Sequence, residues 1–230
     1  MVDWKPIQKP GQLSESRLIK AFLDGTFPIN SHLPAERELA ELLGVTRPTL
    51  REALQRLERD GFIEIQHGKP TRVRDFWIEG NLGVTIALAQ YQHPLPQDFV
   101  TNLFSVRILL APTYTCAAVA QAPDALMQKL IKGNNLPEEA PAFALYDWEL
   151  HWHLTIYGGN AFYTHFINSV KELYRIIGIP YFSHQQTRDH SRKFYNDLFQ
   201  CVKAKDGKRA KNLVGRVMQE SADLWEQLSK

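Results

Sequence analysis

The feature that most constrains this fold is a pair of short helix patterns separated by a tight turn. Residues 34–44 predict the first helix, because proline suits a first helical turn and glycine suits the residue after the last one. After Gly44-Val45, the hydroxyl of Thr46 can cap a second helix that runs to about Asp60. A third amphipathic pattern at residues 14–24 precedes the pair. The segment therefore predicts three short helices, the last two forming a helix-turn-helix.

A predicted β-hairpin follows these helices. Residues 62–66 and 71–74 are rich in β-branched side chains, and the turn between them is His67-Gly68-Lys69-Pro70. Three helices and a hairpin form the pattern of a winged helix-turn-helix, whose second paired helix enters the major groove of DNA. The hairpin tip is slim enough to enter a minor groove.

The rest of the chain predicts helices almost throughout, at 81–91, 97–121, 123–132, 141–157, 161–182, 188–205 and 208–229. The fold class is therefore mainly α, with an N-terminal winged helix-turn-helix, a small β-hairpin wing and a C-terminal seven-helix bundle as effector domain. We predict a DNA-binding domain over residues 1–75, a linker over 76–80 and the bundle over 81–230. Phe76, Trp77 and Ile78 should all pack, which would make the linker docked rather than loose.

Total charge says little about a nucleic-acid partner. The chain has 27 Lys and Arg against 25 Asp and Glu, a net charge of +2. Residues 1–75 carry 12 basic against 11 acidic residues by direct count. On composition alone the arginines would be ordinary solvated residues of amphipathic helices. What favours DNA binding is the position of basic residues at the start of the second paired helix and at the wing tip.

The remaining composition predicts a cytoplasmic protein that is not an enzyme. Two cysteines fit a reducing compartment, and the N-terminal residues lack the apolar core of a signal peptide. The weakly polar stretch 108–120 is shorter than the roughly 18 residues that a membrane span needs. Asp147 and His151 could serve base chemistry, but neither a nucleophile motif nor a phosphate-binding or dinucleotide-binding loop accompanies them. We therefore expect no membrane partner and no catalytic residues.

The N-terminal motifs resemble the DNA-binding half of the GntR family of transcription regulators. The resemblance covers residues 13–75 and lies in the segments 33–40, 44–54 and 57–63. Pro48 stands where a small polar residue is found in the best-known relative, so a DNA contact from that position is not carried over. The resemblance implies DNA contacts from Arg37, Thr46, Arg47, Thr49, Arg51, His67, Gly68 and Lys69.

The wing 65–71, followed by Asp75-Phe76-Trp77, is similar to the FadR branch of this family. That resemblance implies a homodimer on palindromic operator DNA, released by its effector, a long-chain acyl-CoA, without a cofactor. It also implies repression of fatty-acid degradation genes, with activation of synthesis genes as a second role. Gly215 and Met218 depart from the branch pattern at two ligand positions. The implied acyl-CoA contacts are Arg107, Tyr181, Glu220, Ser221, Trp225 and Lys230.

Two other interpretations of the helical region stay open at this point. Asp147-x3-His151 resembles the start of a metal site in the family's other effector domains. The resemblance implies that those domains hold a divalent ion and respond to small carboxylates. Tyr195 stands where a further histidine is expected and the last helix has none, although His184 and His190 could substitute. Two ligands of four would not hold a metal tightly. The third interpretation is a module that only dimerises.

Overall fold

The structure is a computed structural model that describes residues 10–91 and 98–228. The chain divides into two compact units, an N-terminal unit of residues 1–95 and a C-terminal unit of residues 96–230. Lys230, one of the predicted ligand contacts, lies outside the described residues.

The N-terminal unit is a winged helix-turn-helix, as predicted. Helix α3 packs against α1 and α2, and the two short strands pair antiparallel with Ile63 opposite Val73. A single helical turn, α4, and a further helix, α5, follow the wing. The elements are α1 (Pro10–Leu23), α2 (Glu36–Leu43), α3 (Arg47–Asp60), β1 (Ile63–Glu64), β2 (Arg72–Val73), α4 (Phe76–Glu79) and α5 (Leu82–Tyr91).

Local sequence explains where α3 begins, what it buries and where it ends. The Thr46 hydroxyl accepts the backbone N–H of Thr49 at 3.4 Å and so caps the first turn. The buried face consists of Leu50, Ala53, Leu54 and Leu57. The helix ends at Gly61, whose φ of 94° lies in the left-handed region that glycine adopts without steric cost.

The predicted linker is only partly packed. Phe76 is buried, and its ring lies 5.3 Å from that of Phe62. Trp77 and Ile78 are 55% and 81% exposed, so the prediction that all three residues pack was wrong for these two. The physical reason is geometric: one helical turn can turn only one face inward, and Phe76 occupies it.

Helix α5 packs against α1 and α3 of the N-terminal unit. It corresponds to the first helix predicted for the C-terminal bundle, residues 81–91. The division between the compact units therefore falls after Leu95, later in the chain than the 75–80 boundary expected from sequence. The buried residues of α5 are Val84, Ala87, Leu88 and Ala89.

The described part of the C-terminal unit contains seven α-helices and one short 3₁₀ turn at Gly133–Asn135. Helix α6 packs against α12 and α8, and α8 packs against α10. The single helix predicted over residues 161–182 is instead two helices that meet at the buried residue Val170. The helices are α6 (Phe99–Gln121), α7 (Pro123–Lys132), α8 (Ala140–Tyr157), α9 (Ala161–Ser169), α10 (Lys171–Phe182), α11 (Gln185–Lys203) and α12 (Gly207–Leu228).

Helix α6 is long and apolar enough, by length and composition alone, to cross a membrane. Its 23 residues exceed the stretch 108–120 considered from sequence, because the helix begins at Phe99. A core helix of a folded bundle satisfies the same criterion, and Ala111, Tyr114 and Ala118 of α6 belong to the main hydrophobic core of the unit.

Candidate functional site

The first candidate surface surrounds the beginning of α3. Thr46 and Arg47 are exposed there, and Arg37 is exposed near the beginning of α2. Thr49 is half-buried, with its hydroxyl 2.9 Å from that of Thr46. The capping hydroxyls therefore already serve the helix, while Arg37 and Arg47 present cationic side chains to solvent. Exposed donors at the N-terminal end of a recognition helix suit contacts with phosphates and base edges.

Arg51 of α3 pairs with a carboxylate of α2. Its Nε donates to Oε2 of Glu36 at 2.7 Å, which joins α3 to α2. The Arg51 side chain is 66% exposed, and an exposed ion pair of this kind contributes little to stability. Breaking this ion pair therefore costs little, which leaves the Arg51 guanidinium available to another partner. Sequence patterns did not reveal this pairing, because it depends on how the two helices cross.

The wing presents its predicted residues at an exposed tip. His67, Gly68 and Lys69 are all exposed, and Gly68 has a φ of 72° that lets the chain reverse there. The base of the wing is tied to α3, since the Glu58 carboxylate accepts the backbone N–H of Ile65 at 2.9 Å. Glu58 reads in the sequence as a surface charge that dilutes the basic residues. Its structural role could not be found without the hairpin in place.

The second candidate site is a cavity inside the C-terminal bundle, between α6, α8, α10, α11 and α12. The cavity volume is about 40 Å³, far below the roughly 300–1,000 Å³ of typical small-molecule sites, so a ligand that enters it must displace surrounding side chains. Most of its wall is apolar, and a polar group stands on it that includes Arg107, Asp147, Tyr174, Tyr181 and Ser221. The apolar lining residues are Leu103, Phe104, Ala144, Leu173, Ile177, Gly178, Phe182, Phe194, Val217 and Met218, and Ser191 completes the set.

Arg107 of α6 is the centre of the polar group. Its Nη2 lies 3.2 Å from Oδ2 of Asp147 and 3.2 Å from Nε2 of His151, both on α8. The guanidinium also stacks on the ring of Tyr174, 4.8 Å from the ring centre. Burial acts to lower the pKa of Arg107, but the electrostatic effects of Tyr174 and Asp147 outweigh it and raise that pKa. The cavity wall therefore carries a permanent buried cation paired with a carboxylate.

The neighbours of Asp147 and His151 complete this network. Oδ1 of Asp147 accepts the Tyr195 hydroxyl at 3.2 Å, and Nδ1 of His151 lies 2.7 Å from the Tyr114 hydroxyl. Because Arg107 can only donate, Nε2 of His151 must accept, which puts the ring hydrogen on Nδ1 facing Tyr114. Burial is the main cause that lowers the pKa of His151 to about 4. His151 is therefore neutral at pH 7, and the network as a whole has no net charge.

The same geometry tests the metal interpretation. Asp147 and His151 converge as expected for residues one helical turn apart, but the guanidinium of Arg107 lies against both of them. Tyr195, at the position where a histidine was expected, bonds to Asp147. Within residues 10–91 and 98–228, three or more His, Cys, Asp or Glu side chains do not come together at any metal-sized site. These donors fit an arginine cation rather than a divalent ion.

The predicted ligand residues divide between the cavity and other surfaces. Arg107, Tyr181 and Ser221 line the cavity, and burial raises the pKa of Tyr181 to about 12. Glu220 points elsewhere and pairs with His190 and Arg216, each at 3.0 Å. The hydrogen bond from His190 is the main cause that lowers the pKa of Glu220. Consecutive residues of α12 face directions about 100° apart, which explains the separation of Ser221 from Glu220.

Trp225 is half-buried and packs against the edge of the bundle core. Sequence reasoning singled out Arg107, Asp147 and Tyr195 but did not join them into one cluster. Tyr114 and Tyr174, which flank His151 and Arg107, were missed. The available signal was an isolated arginine on an apolar helix, which in a core requires an anionic partner.

Comparison with known proteins decides the family. Residues 15–73 match the bacterial regulatory proteins of the gntR family, and residues 74–230 match the FadR C-terminal domain. The chain belongs to the GntR family. Within this family it carries the FadR type of C-terminal domain, and it is a transcription regulator rather than an enzyme.

Two relatives of this GntR-family protein are similar over almost their whole length. A fatty acid metabolism regulator protein of Klebsiella pneumoniae is 38% identical over 223 residues, covering 97% of this chain and 93% of the relative. One from Serratia proteamaculans is 37% identical over 221 residues, covering 96% and 92%. The solved structure of Listeria monocytogenes Lar has a TM-score of 0.65 at 17% identity, covering 97% and 99%, and supports the fold alone.

Proposed function

We propose that this GntR-family protein is a homodimeric, cytoplasmic regulator of fatty-acid metabolism genes, which long-chain acyl-CoA releases from operator DNA. In this proposal it represses degradation genes and activates synthesis genes. The observation that carries the proposal is the mainly apolar cavity with a single polar cluster inside the FadR-type domain. The curated names of its near full-length relatives support the regulated pathway.

Operator recognition is assigned to the exposed beginning of α3 and to the wing. Arg47 and Arg51 are the candidates for guanine edges, since arginine can bridge O6 and N7 of guanine with two hydrogen bonds. Arg37, Thr46 and Thr49 are assigned to the phosphate backbone. His67, Gly68 and Lys69 are assigned to the minor groove, which suits a slim, exposed tip. Because one unit offers one recognition helix, a palindromic site requires two chains.

Effector binding is assigned to the C-terminal cavity. The apolar wall suits an acyl chain, and Arg107 and Tyr181 offer donors to its carbonyl end. Ser221 lines the same wall, but its hydroxyl already donates to the carbonyl of Val217 at 2.8 Å. The coenzyme A portion is assigned to Glu220, Trp225 and Lys230, where tryptophan can stack on adenine and lysine can pair with phosphate. The alternative, a small carboxylate bound through a divalent ion, is disfavoured by the Arg107 cation that Asp147 and His151 already contact.

The test is DNA binding by the purified protein with and without ligand. We expect a specific shift of a promoter fragment from its own fatty-acid genes, and loss of that shift with oleoyl-CoA but not with coenzyme A. Lys69→Ala should lower the slope of log affinity against log salt by about one, because a lysine in the minor groove still neutralises about one phosphate charge of the flanking backbone. Lys208→Ala, an exposed lysine on the bundle, is the matched control. A shift that is insensitive to oleoyl-CoA would contradict the proposed effector.

A further inference from the structure

We infer that Asp147 is a specificity-determining residue, which bars ligands with a free carboxylate from the bundle cavity and admits ligands whose polar end is a neutral carbonyl. The inference deepens the proposed function and rests on it, since it concerns which chemical form of a long-chain acyl compound the cavity accepts. It names the chemical class of the ligand head as an uncharged thioester, ester or amide.

The cavity wall carries no net charge. Arg107 supplies one positive charge and Asp147 one negative charge, both on side chains that line the cavity. The two side chains are only 15% and 9% exposed. His151, the third member, adds no charge at neutral pH. The protein has therefore neutralised its own buried cation, so Arg107 does not need an anionic ligand.

A carboxylate that enters this cavity meets unfavourable electrostatics. It would place a second anion near one guanidinium that already has Asp147 at 3.2 Å. The wall would then hold two negative charges and one positive charge in a poorly solvated, mainly apolar space. An uncompensated charge in such a place is costly, and two carboxylates that share one site repel each other strongly.

A ligand with an uncharged carbonyl head finds hydrogen-bond donors on the same cavity wall. Among the described residues, Nε of Arg107 has no hydrogen-bond acceptor in good geometry although it is buried. Tyr181 stands on the same cavity wall, and the raised pKa of its phenol, about 12, keeps its proton in place at pH 7. A carbonyl oxygen can accept from such donors without adding charge, so a neutral carbonyl gains hydrogen bonds while a carboxylate also meets Asp147.

The experiment measures binding of three compounds with one acyl chain to the full-length protein, below their micelle concentrations. The compounds are palmitoyl-CoA, methyl palmitate and palmitate, followed by calorimetry or by tryptophan fluorescence. Wild-type protein should bind the thioester and the methyl ester, and should bind palmitate at least about tenfold more weakly than the ester, since one buried repulsion separates them. Equal affinity for palmitate and its ester would overturn the inference.

Asp147→Asn is the decisive variant, because it removes the negative charge and keeps the shape. It should gain palmitate affinity by about tenfold or more, since Arg107 then lacks its own anion. Tyr195→Phe is the matched control: it removes the hydrogen bond to Asp147 but keeps the charge, so palmitate should stay excluded. The double variant Arg107→Met with Asp147→Leu removes both charges and should not gain palmitate, which separates a charge effect from loosened packing.

Failure of the inference and failure of the proposed function give different results. If wild-type protein binds neither palmitoyl-CoA nor methyl palmitate, the proposed effector is wrong, and the Asp147→Asn arm still decides the charge argument. A gain of palmitate binding in that variant supports the inference, and no gain overturns it. If Asp147→Asn does not fold, the comparison of ester and acid on wild-type protein decides alone.

Discussion

At the scale of single residues, Arg107 explains most about the C-terminal unit. The sequence placed Arg107 among the implied ligand contacts, and it separately paired Asp147 with His151 as the possible start of a metal site. Joining the two predictions requires knowing that α6 and α8 align these residues, which are 40 positions apart in the chain. Tyr195 illustrates the same limit, because a phenol in place of a histidine gains its meaning only from its contact with Asp147.

Burial of His151 predicts a specific loss of stability in mild acid. Its pKa is about 4 in the folded protein, below the ordinary value of 6.5, so the native state stays neutral while the unfolded chain takes up a proton. The free energy of unfolding should therefore fall as pH drops from 6.5 towards 4. Between pH 7 and pH 5 this one group should remove about 2 kcal/mol. Urea unfolding followed by tryptophan fluorescence at both pH values measures the loss.

The control for this prediction is His151→Gln, which keeps a hydrogen-bond acceptor for Arg107 and a donor for Tyr114 but does not titrate. The variant should show a smaller loss between pH 7 and pH 5, and the difference between the two proteins isolates His151 from other acidic groups. Parallel losses in both proteins would show that His151 takes up a proton in the folded state.

At the scale of elements, patterns that depend on neighbouring residues were predicted well. The cap at Thr46 and the exit at Gly44 are both local, and the structure has them. One prediction failed where tertiary contacts decide: the single helix expected over residues 161–182 divides at Val170. Helical periodicity shows that a face is buried but not which element covers it.

The end of α3 yields an element-scale prediction. At Gly61, an added Cβ would lie 2.8 Å from Cα of Gly80, and φ is +94°. Gly61→Ala should therefore combine a left-handed strain of about 1–2 kcal/mol with a backbone clash that costs about 1–3 kcal/mol more. Gly25→Ala is the matched control, because φ is +79° there with no atom within 4 Å. Urea unfolding should show a clearly larger loss at position 61; equal losses would mean that the turn after α4, where Gly80 lies, moves aside at no cost.

At the scale of the whole molecule, the small net charge of +2 comes from nearly equal numbers of basic and acidic residues, and several of these pair with each other. Arg51 is held by Glu36, Arg56 by Glu15 and Arg72 by Glu64. The predicted wing-tip and helix-start positions expose basic side chains at Arg37, Arg47 and Lys69. Binding to DNA in this proposal then depends on where a few cations lie, and its salt dependence should correspond to few phosphate contacts.

The proposed release of DNA by acyl-CoA implies an effect in the opposite direction. Two ligands that bind one protein are coupled by a single free energy, so each changes the affinity of the other by the same factor. Saturating operator DNA should therefore weaken palmitoyl-CoA binding by the factor by which palmitoyl-CoA weakens operator binding. Calorimetric titration of palmitoyl-CoA into free protein and into the protein–operator complex measures one factor, and fluorescence anisotropy of labelled operator measures the other.

A scrambled operator of equal length serves as the control, since it carries the same phosphate charge without the recognised sequence. It should leave palmitoyl-CoA affinity unchanged at a salt concentration where it does not bind. Equal palmitoyl-CoA affinities with and without the true operator would show that the cavity and the DNA-binding surface are not coupled. The cavity would then serve another role, even if acyl-CoA occupies it.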